Sequence, residues 1–106
     1  MSKIVDETMQ AFFCGEAFNK ASTRITTSKG VTKLYYYEEA IAIRSLDGAI
    51  VNLEYCHIRS TLERVNAVID YVGKGKIKTV KGCLVWFQED GTKIDCSTTT
   101  LLLVKG

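Results

Sequence analysis

Residues 23–37 read Thr-Arg-Ile-Thr-Thr-Ser-Lys-Gly-Val-Thr-Lys-Leu-Tyr-Tyr-Tyr, two runs of β-forming residues on either side of a glycine turn. Threonine, isoleucine, valine and tyrosine favour strands, and glycine adopts the positive φ that tight hairpin turns need. With the lysine and the glycine as a two-residue turn, Ile25 lies opposite Leu34 on one face, and Arg24 lies opposite Tyr35 on the other. The segment therefore predicts an antiparallel hairpin with one apolar face and one face that carries an arginine and a tyrosine.

A second hairpin is predicted directly downstream. The segments Ala40–Leu46 and Ala49–Tyr55 flank Asp47-Gly48, and this dipeptide between β-forming runs is a strong hairpin signal. Together with the first hairpin, these segments indicate an antiparallel meander of three or four strands.

Two segments have the apolar spacing of amphipathic helices. In Lys3–Phe13, apolar residues recur at intervals of three and four, with Ser2 as the expected cap and Gly15 as the expected end. In Thr61–Val72, Ser60 and Glu63 fit a capping box, in which the serine caps the helix and the glutamate reaches back to it. The stripe expected to be buried contains Ile58, Leu62, Val65, Val68, Ile69 and Val72, whereas Glu63, Arg64 and Asp70 are expected to face water.

The C-terminal part of the chain predicts another hairpin. Lys76–Lys81 leads into Cys83–Gln88, and a turn at Asp90-Gly91 leads into Lys93–Ser97. A two-residue turn there places Phe87 opposite Ile94 and Trp86 opposite Asp95. For Leu101–Val104, a last strand and a docking segment are both open interpretations.

These elements indicate an α+β protein that forms a single domain over residues 1–106. Its order is roughly α-β-β-β-β-α-β-β-(β), with two amphipathic helices on one face of an antiparallel sheet of short strands and hairpins. The chain has 106 residues, of which 46% are hydrophobic and 25% charged, with a net charge of +2. These values exclude a disordered tail, and no apolar run approaches the ~20 residues that a membrane span requires. Because Asp6 and Glu7 lie where a signal peptide would be apolar, we expect a cytoplasmic location.

The residues that usually carry chemistry are sparse. The four cysteines, Cys14, Cys56, Cys83 and Cys96, lack the short spacing of zinc ligands, and a cytoplasmic protein keeps them as reduced thiols. The single histidine, His57, follows Cys56 directly, and neighbours on a strand point to opposite faces. We therefore expect no enzyme, no cofactor and no metal site.

Two groups of residues are candidates for binding. Lys76, Lys78 and Lys81 form a basic strip beside Trp86, which either protects a sheet edge or contacts a nucleic-acid backbone. Tyr35 and Tyr37 join Arg24 on an exposed surface if no helix covers that face. Aromatic residues and arginine are enriched among the residues that dominate protein interfaces.

Four phrases of the chain resemble a family of small uncharacterised proteins of tailed bacteriophages. The phrases are Ser22-Thr23-Arg24-Ile25, Leu34-Tyr35 through Ala40-Ile41-Ala42, Ser60-Thr61-Leu62-Glu63-Arg64-Val65-Asn66, and Val85-Trp86-Phe87 before a glycine turn. The similarity covers residues from about 18 to 95, and residues 36–39 replace the turn typical of the family. The resemblance implies a phage gene product that acts in the bacterial cytoplasm, and it carries over no catalytic residues.

Three functions follow as hypotheses. The first is a non-catalytic binding protein that occupies a host protein or a defence complex, with a homodimer as a further expectation. The second is a nucleic-acid-binding accessory protein that uses the basic and aromatic residues. The third, an enzyme that pairs His57 with a cysteine, requires those side chains to lie within hydrogen-bond reach.

Overall fold

The computed structural model describes residues 3–45, 48–96 and 100–104. Their elements follow the order α1, β1–β5, α2, β6–β9, which confirms the α+β class. The helices are α1 (Lys3–Cys14) and α2 (Arg59–Tyr71). The strands are β1 (Phe18–Lys20), β2 (Thr23–Ser28), β3 (Val31–Tyr36), β4 (Glu39–Ser45), β5 (Gly48–Asn52), β6 (Lys76–Val80), β7 (Cys83–Phe87), β8 (Lys93–Asp95) and β9 (Leu101–Val104).

The larger of two sheets is antiparallel, with the strand order β1-β2-β3-β4-β5-β9. The predicted register of its first hairpin is confirmed, because Ile25 pairs with Leu34 and Arg24 with Tyr35. Lys29 and Gly30 form the turn with φ values of 53° and 79°, the conformation that matches the natural twist of a hairpin.

The two edge strands of this sheet are β9, for which the sequence left two interpretations open, and β1, which was not predicted. β9 pairs with β5, so Leu101–Val104 is a last strand. β1 was not predicted because it is short and its turn to β2 uses Ala21 and Ser22, which are not typical turn residues. β5 ends at Asn52 rather than at Tyr55, since residues 54–57 turn towards α2. Asp47 and Ser2 lie outside the described residues.

The smaller sheet has the order β6-β7-β8, and its second register differs from the prediction. Trp86 pairs with Ile94, and Phe87 pairs with Lys93, so the expected partners of both aromatic residues were wrong by one position. The connection is longer than two residues. The backbone N–H of Gln88 donates to the carbonyl of Thr92, and the Asp90 carboxylate accepts from the Thr92 N–H.

One hydrophobic core joins the two sheets to the helices. Helices α1 and α2 contact each other, and both pack against the same face of the larger sheet. The smaller sheet contributes Ile77 to this core, and Cys96 joins it directly after β8; each is 1% exposed. The largest fully buried side chains in the helices and the larger sheet include Phe12, Ile25, Leu34, Ile41 and Ile69.

The start of α2 departs from the predicted capping box. Ile58 is the N-cap residue and makes no side-chain capping bond, and the Ser60 hydroxyl instead accepts a hydrogen bond from Tyr36. Ile58, expected in the buried stripe, is 45% exposed. Arg64, expected to face water, is only 7% exposed. The changed exposure of Ile58 and the burial of Arg64 both arise because the tyrosine end of β3 packs against the first turn of the helix.

Helix α2 also seals the outer edge of the smaller sheet. The side-chain amide of Asn66 donates to the Ile77 carbonyl at 2.8 Å and accepts from the Ile77 N–H at 2.6 Å. The Asn66 side chain therefore satisfies the N–H and the carbonyl of Ile77, which a further strand would otherwise use. Among the described residues, neither helix is long and apolar enough to cross a membrane.

Candidate functional site

A cleft of about 310 Å³ lies where the end of β3 meets the start of α2. We call it the tyrosine cleft and define it by Tyr36, Tyr37, Glu39, Tyr55, Ile58 and Ser60. β3 and its turn supply the first two residues, and β4 begins with the glutamate. The segment between β5 and α2 supplies Tyr55 and Ile58, and α2 supplies Ser60. The cleft is therefore built from two stretches of the chain, residues 36–39 and residues 55–60.

Tyr37 is the most exposed aromatic residue at this cleft. Its side chain is 65% exposed, and its ring centroid lies 4.7 Å from that of Tyr36. Its φ of 58° is in the left-handed region, which costs a residue with a side chain about 1–2 kcal/mol. The Tyr37 N–H donates to the Ser22 carbonyl at 2.7 Å and holds this conformation.

Tyr36 forms a fixed wall of the cleft. Its hydroxyl donates to Ser60 Oγ at 3.0 Å, and the Arg64 guanidinium lies 4.1 Å from its ring centroid. Arg64 donates in turn to Thr23 Oγ1 and to the Ser60 carbonyl. These bonds satisfy a buried cation without a described carboxylate partner, and they hold the tyrosine and the helix together.

Glu39 and Tyr55 give the cleft a negative edge. Partial burial raises the pKa of the Tyr55 hydroxyl, and the nearby carboxylates of Glu39 and Glu54 raise it further. Burial and negative charge both disfavour the phenolate, so the two effects raise the pKa of Tyr55 in the same direction.

The structure separates the predicted residues Arg24, Tyr35 and Tyr37. Arg24 and Tyr35 share the outer face of the larger sheet, where the guanidinium lies 4.6 Å from the tyrosine ring centroid. Tyr37 does not join them, because β3 ends at Tyr36 and the strand alternation stops there. It lies in the tyrosine cleft instead.

The predicted lysine strip is beside Phe87 and not beside Trp86. Lys78 Nζ and Lys93 Nζ lie 5.4 and 5.5 Å from the Phe87 ring centroid, and Lys76 pairs with the same residue across the strands. Phe87 and these three lysines form what we call the lysine face.

The other predicted members of the strip lie apart from the lysine face. Trp86 points towards the core, and its Nε1 donates to the Lys74 carbonyl. Lys81 lies in the exposed β6–β7 turn, with a φ of 52°. The prediction that joined Trp86 to the lysines was wrong, because it placed the tryptophan on the outer side of the hairpin.

Two further clefts are present in the described part of the chain. A groove of about 530 Å³ runs between α1 and α2 and is lined by Asp6, Asp70 and Tyr71, whose ring stacks on Phe13 at 4.0 Å. A smaller cleft of about 210 Å³ adjoins Trp86.

The cysteines and the histidine are not arranged as a reactive pair. Burial raises the pKa of the Cys56 thiol to about 11 and also raises that of Cys96, so both remain protonated at neutral pH. A protonated thiol is a poor nucleophile. His57 is exposed, and within the described residues no hydrogen bond joins it to a cysteine. The same part of the chain contains no metal-ligating cluster.

Of the residues that define this cleft, sequence reasoning named only Tyr37 as a binding candidate, and it also missed the burial of Arg64. The spacing of Ser60 and Arg64 contained a signal, because residues four apart on a helix share one side. Nothing in the sequence placed Tyr55 beside Tyr37, since this contact depends on how the connection before α2 folds back. Comparisons of the chain with protein-family models, curated proteins and solved structures gave no match.

Proposed function

We propose that this protein is a non-catalytic binding protein that docks a protein partner at the tyrosine cleft. One observation carries the proposal: Tyr37 is 65% exposed beside two more tyrosines in a cleft that is already formed. Tyrosine is enriched among residues that dominate interface energies, because it buries a large area with little loss of conformational freedom.

The rigidity of the cleft supports this function. The Tyr36 hydroxyl bond and the Arg64 contacts fix one wall, and the Ser22 carbonyl fixes the Tyr37 backbone. A preformed site loses less conformational entropy when a partner binds.

The protein would act by occupancy, without a chemical step. Its resemblance to phage proteins makes a host protein or a host defence complex the expected target, and the bacterial cytoplasm the expected location. This expectation defines the extract in which a partner should be sought.

The test is a pull-down from bacterial lysate with tagged protein, with and without nuclease, at low and about 0.5 M salt. We expect a discrete protein partner that survives both treatments, because an aromatic site depends little on salt. Tyr37→Gly should abolish capture and leave the protein at least as stable, since glycine relieves the left-handed strain.

The matched control is Lys29→Gly, which makes the same change at a left-handed position at the opposite end of the β2–β3 hairpin. It should capture the partner like the wild type. Capture that is equally strong with Tyr37→Gly would contradict docking at the tyrosine cleft.

The lysine face supports a second candidate function, the binding of single-stranded nucleic acid. An aromatic ring flanked by ammonium groups is a surface on which a base stacks while the backbone meets positive charge. Fluorescence anisotropy with a labelled oligothymidine should then show affinity that falls steeply with salt. Lys78→Gln should reduce the salt slope by about 1, whereas Lys29→Gln should not. Absent or salt-insensitive binding would exclude this candidate.

A further inference from the structure

We infer that the tyrosine cleft receives a basic side chain, an arginine or a lysine of the partner, between Tyr37 and Glu39. This inference rests on the proposed function and adds the chemical class of the group that enters the site. Three features of the cleft and its surroundings carry it.

The first feature is the pairing of tyrosines with arginines. Tyr35 and Tyr36 each have a guanidinium over the ring, from Arg24 at 4.6 Å and from Arg64 at 4.1 Å. Among the described residues, no cation lies over Tyr37, the third tyrosine of the run. A cation over a tyrosine face is attracted by the ring quadrupole, most strongly where the site excludes water.

The second feature is the carboxylate of Glu39. It lines the cleft, and in the described part of the chain the only ion pair is the one between Lys20 and Glu7. Glu39 therefore lies near the Tyr55 hydroxyl and has no described basic partner. A carboxylate beside an open aromatic face provides both interactions that a guanidinium or ammonium group makes.

The third feature decides where in the cleft the cation lies. Arg64 already covers one face of Tyr36, and a second cation there would be repelled by the first. Its guanidinium is buried behind that ring and bonded to Thr23 and Ser60, so its position is fixed. The incoming group therefore belongs at Tyr37, Glu39 and Tyr55 and not over the ring of Tyr36.

The test uses small probes and two-dimensional amide NMR of the full chain. The basic probes are ethylguanidinium and N-acetyl-arginine N-methylamide, and the comparison probes are the corresponding leucine and glutamate amides. We expect saturable shifts at Tyr37, Glu39 and Tyr55 with the basic probes only. Glu39→Gln should weaken binding about fivefold or more, whereas Glu63→Gln, an exposed glutamate on α2, should leave it unchanged.

Charge reversal gives an independent readout. Glu39→Lys should no longer bind the basic probes and should bind the glutamate probe weakly. A dispersed amide spectrum of this variant verifies that the fold is retained. Preferential binding of the leucine probe, no binding of any probe, or an unchanged affinity in Glu39→Gln would each overturn the basic class. The proposed function fails by a different result, the continued capture of a protein partner by Tyr37→Gly.

Discussion

Gly75 and Gly91 have similar backbone angles and different surroundings. Their φ values are +96° and +90°, but a Cβ on Gly75 would lie 2.0 Å from the Phe87 carbonyl oxygen, whereas a Cβ on Gly91 would meet nothing within 4 Å. Gly91→Ala should therefore cost only the left-handed penalty of about 1 kcal/mol, and Gly75→Ala should cost more than about 3 kcal/mol because backbone atoms must move. Urea unfolding of both variants measures the difference, and equal losses would contradict the close contact.

Arg64 shows why some single residues could not be placed from the sequence. An arginine among polar neighbours on a helix is usually solvated, and only the packing of Tyr36 and Thr23 against α2 makes its burial favourable. Tyr37 was predicted to be a binding candidate because three consecutive tyrosines exceed what one buried face of a strand can use. The structure exposes its side chain, and its role in binding stays a prediction. Its neighbours Glu39 and Tyr55 come from other elements, so pattern alone could not assemble the cleft.

Among the elements, α2 and β6 are joined through one amide side chain. Asn66 makes both of its hydrogen bonds to Ile77, a residue that is 1% exposed. Asn66→Ala should destabilise the protein by about 2–4 kcal/mol, because it leaves a buried N–H and a buried carbonyl without partners. Asn66→Asp keeps the acceptor for the Ile77 N–H but sets a carboxylate oxygen against the Ile77 carbonyl, so it should also destabilise the protein.

Chemical denaturation measures these losses, and Glu63→Ala provides the control on the exposed side of the same helix. This control should change stability by no more than about 0.5 kcal/mol. If Asn66→Ala also lowered the free energy of unfolding by no more than about 0.5 kcal/mol, the amide would not protect the edge of the smaller sheet.

The β2–β3 and β7–β8 hairpins show how far local sequence determines strand register. The turn at Lys29-Gly30 has two residues, and its register followed from the glycine. The Asp90-Gly91 signal was just as clear, but the Asp90 carboxylate bonds the Thr92 N–H and lengthens the connection. The longer connection shifted the register between β7 and β8 by one position. Trp86 lies off the lysine face for a separate reason, because it pairs with the buried Ile77 on the core side of the smaller sheet.

At the scale of the whole molecule, the outer face of the larger sheet is apolar at one end. Ile43 pairs with Ile50 there, and Leu101 is 62% exposed on the neighbouring edge strand. Helices α1 and α2 both pack against the opposite face. Because isolated small sheets with an open apolar face commonly pair by two-fold symmetry, we expect self-association at high concentration.

Light scattering tests this expectation. The wild type should approach twice its mass of 11.8 kDa, and Ile50→Lys should restore the monomer by placing a charge in the contact. Thr26→Lys, on the polar end of the same face, should leave the dimer intact. A single 11.8 kDa species for the wild type at high concentration would refute the dimer.

The pairing of β9 with β5 has a consequence for the timing of synthesis. Residues 53–100 are made between these two neighbouring strands. At about 5–20 residues per second, the ribosome needs roughly 2–10 seconds to synthesise the residues between β5 and its partner strand β9. During this interval β5 is the open edge of a growing sheet, while α2 and the smaller sheet can already form. The newly made chain is therefore most prone to aggregation just before its last strand emerges.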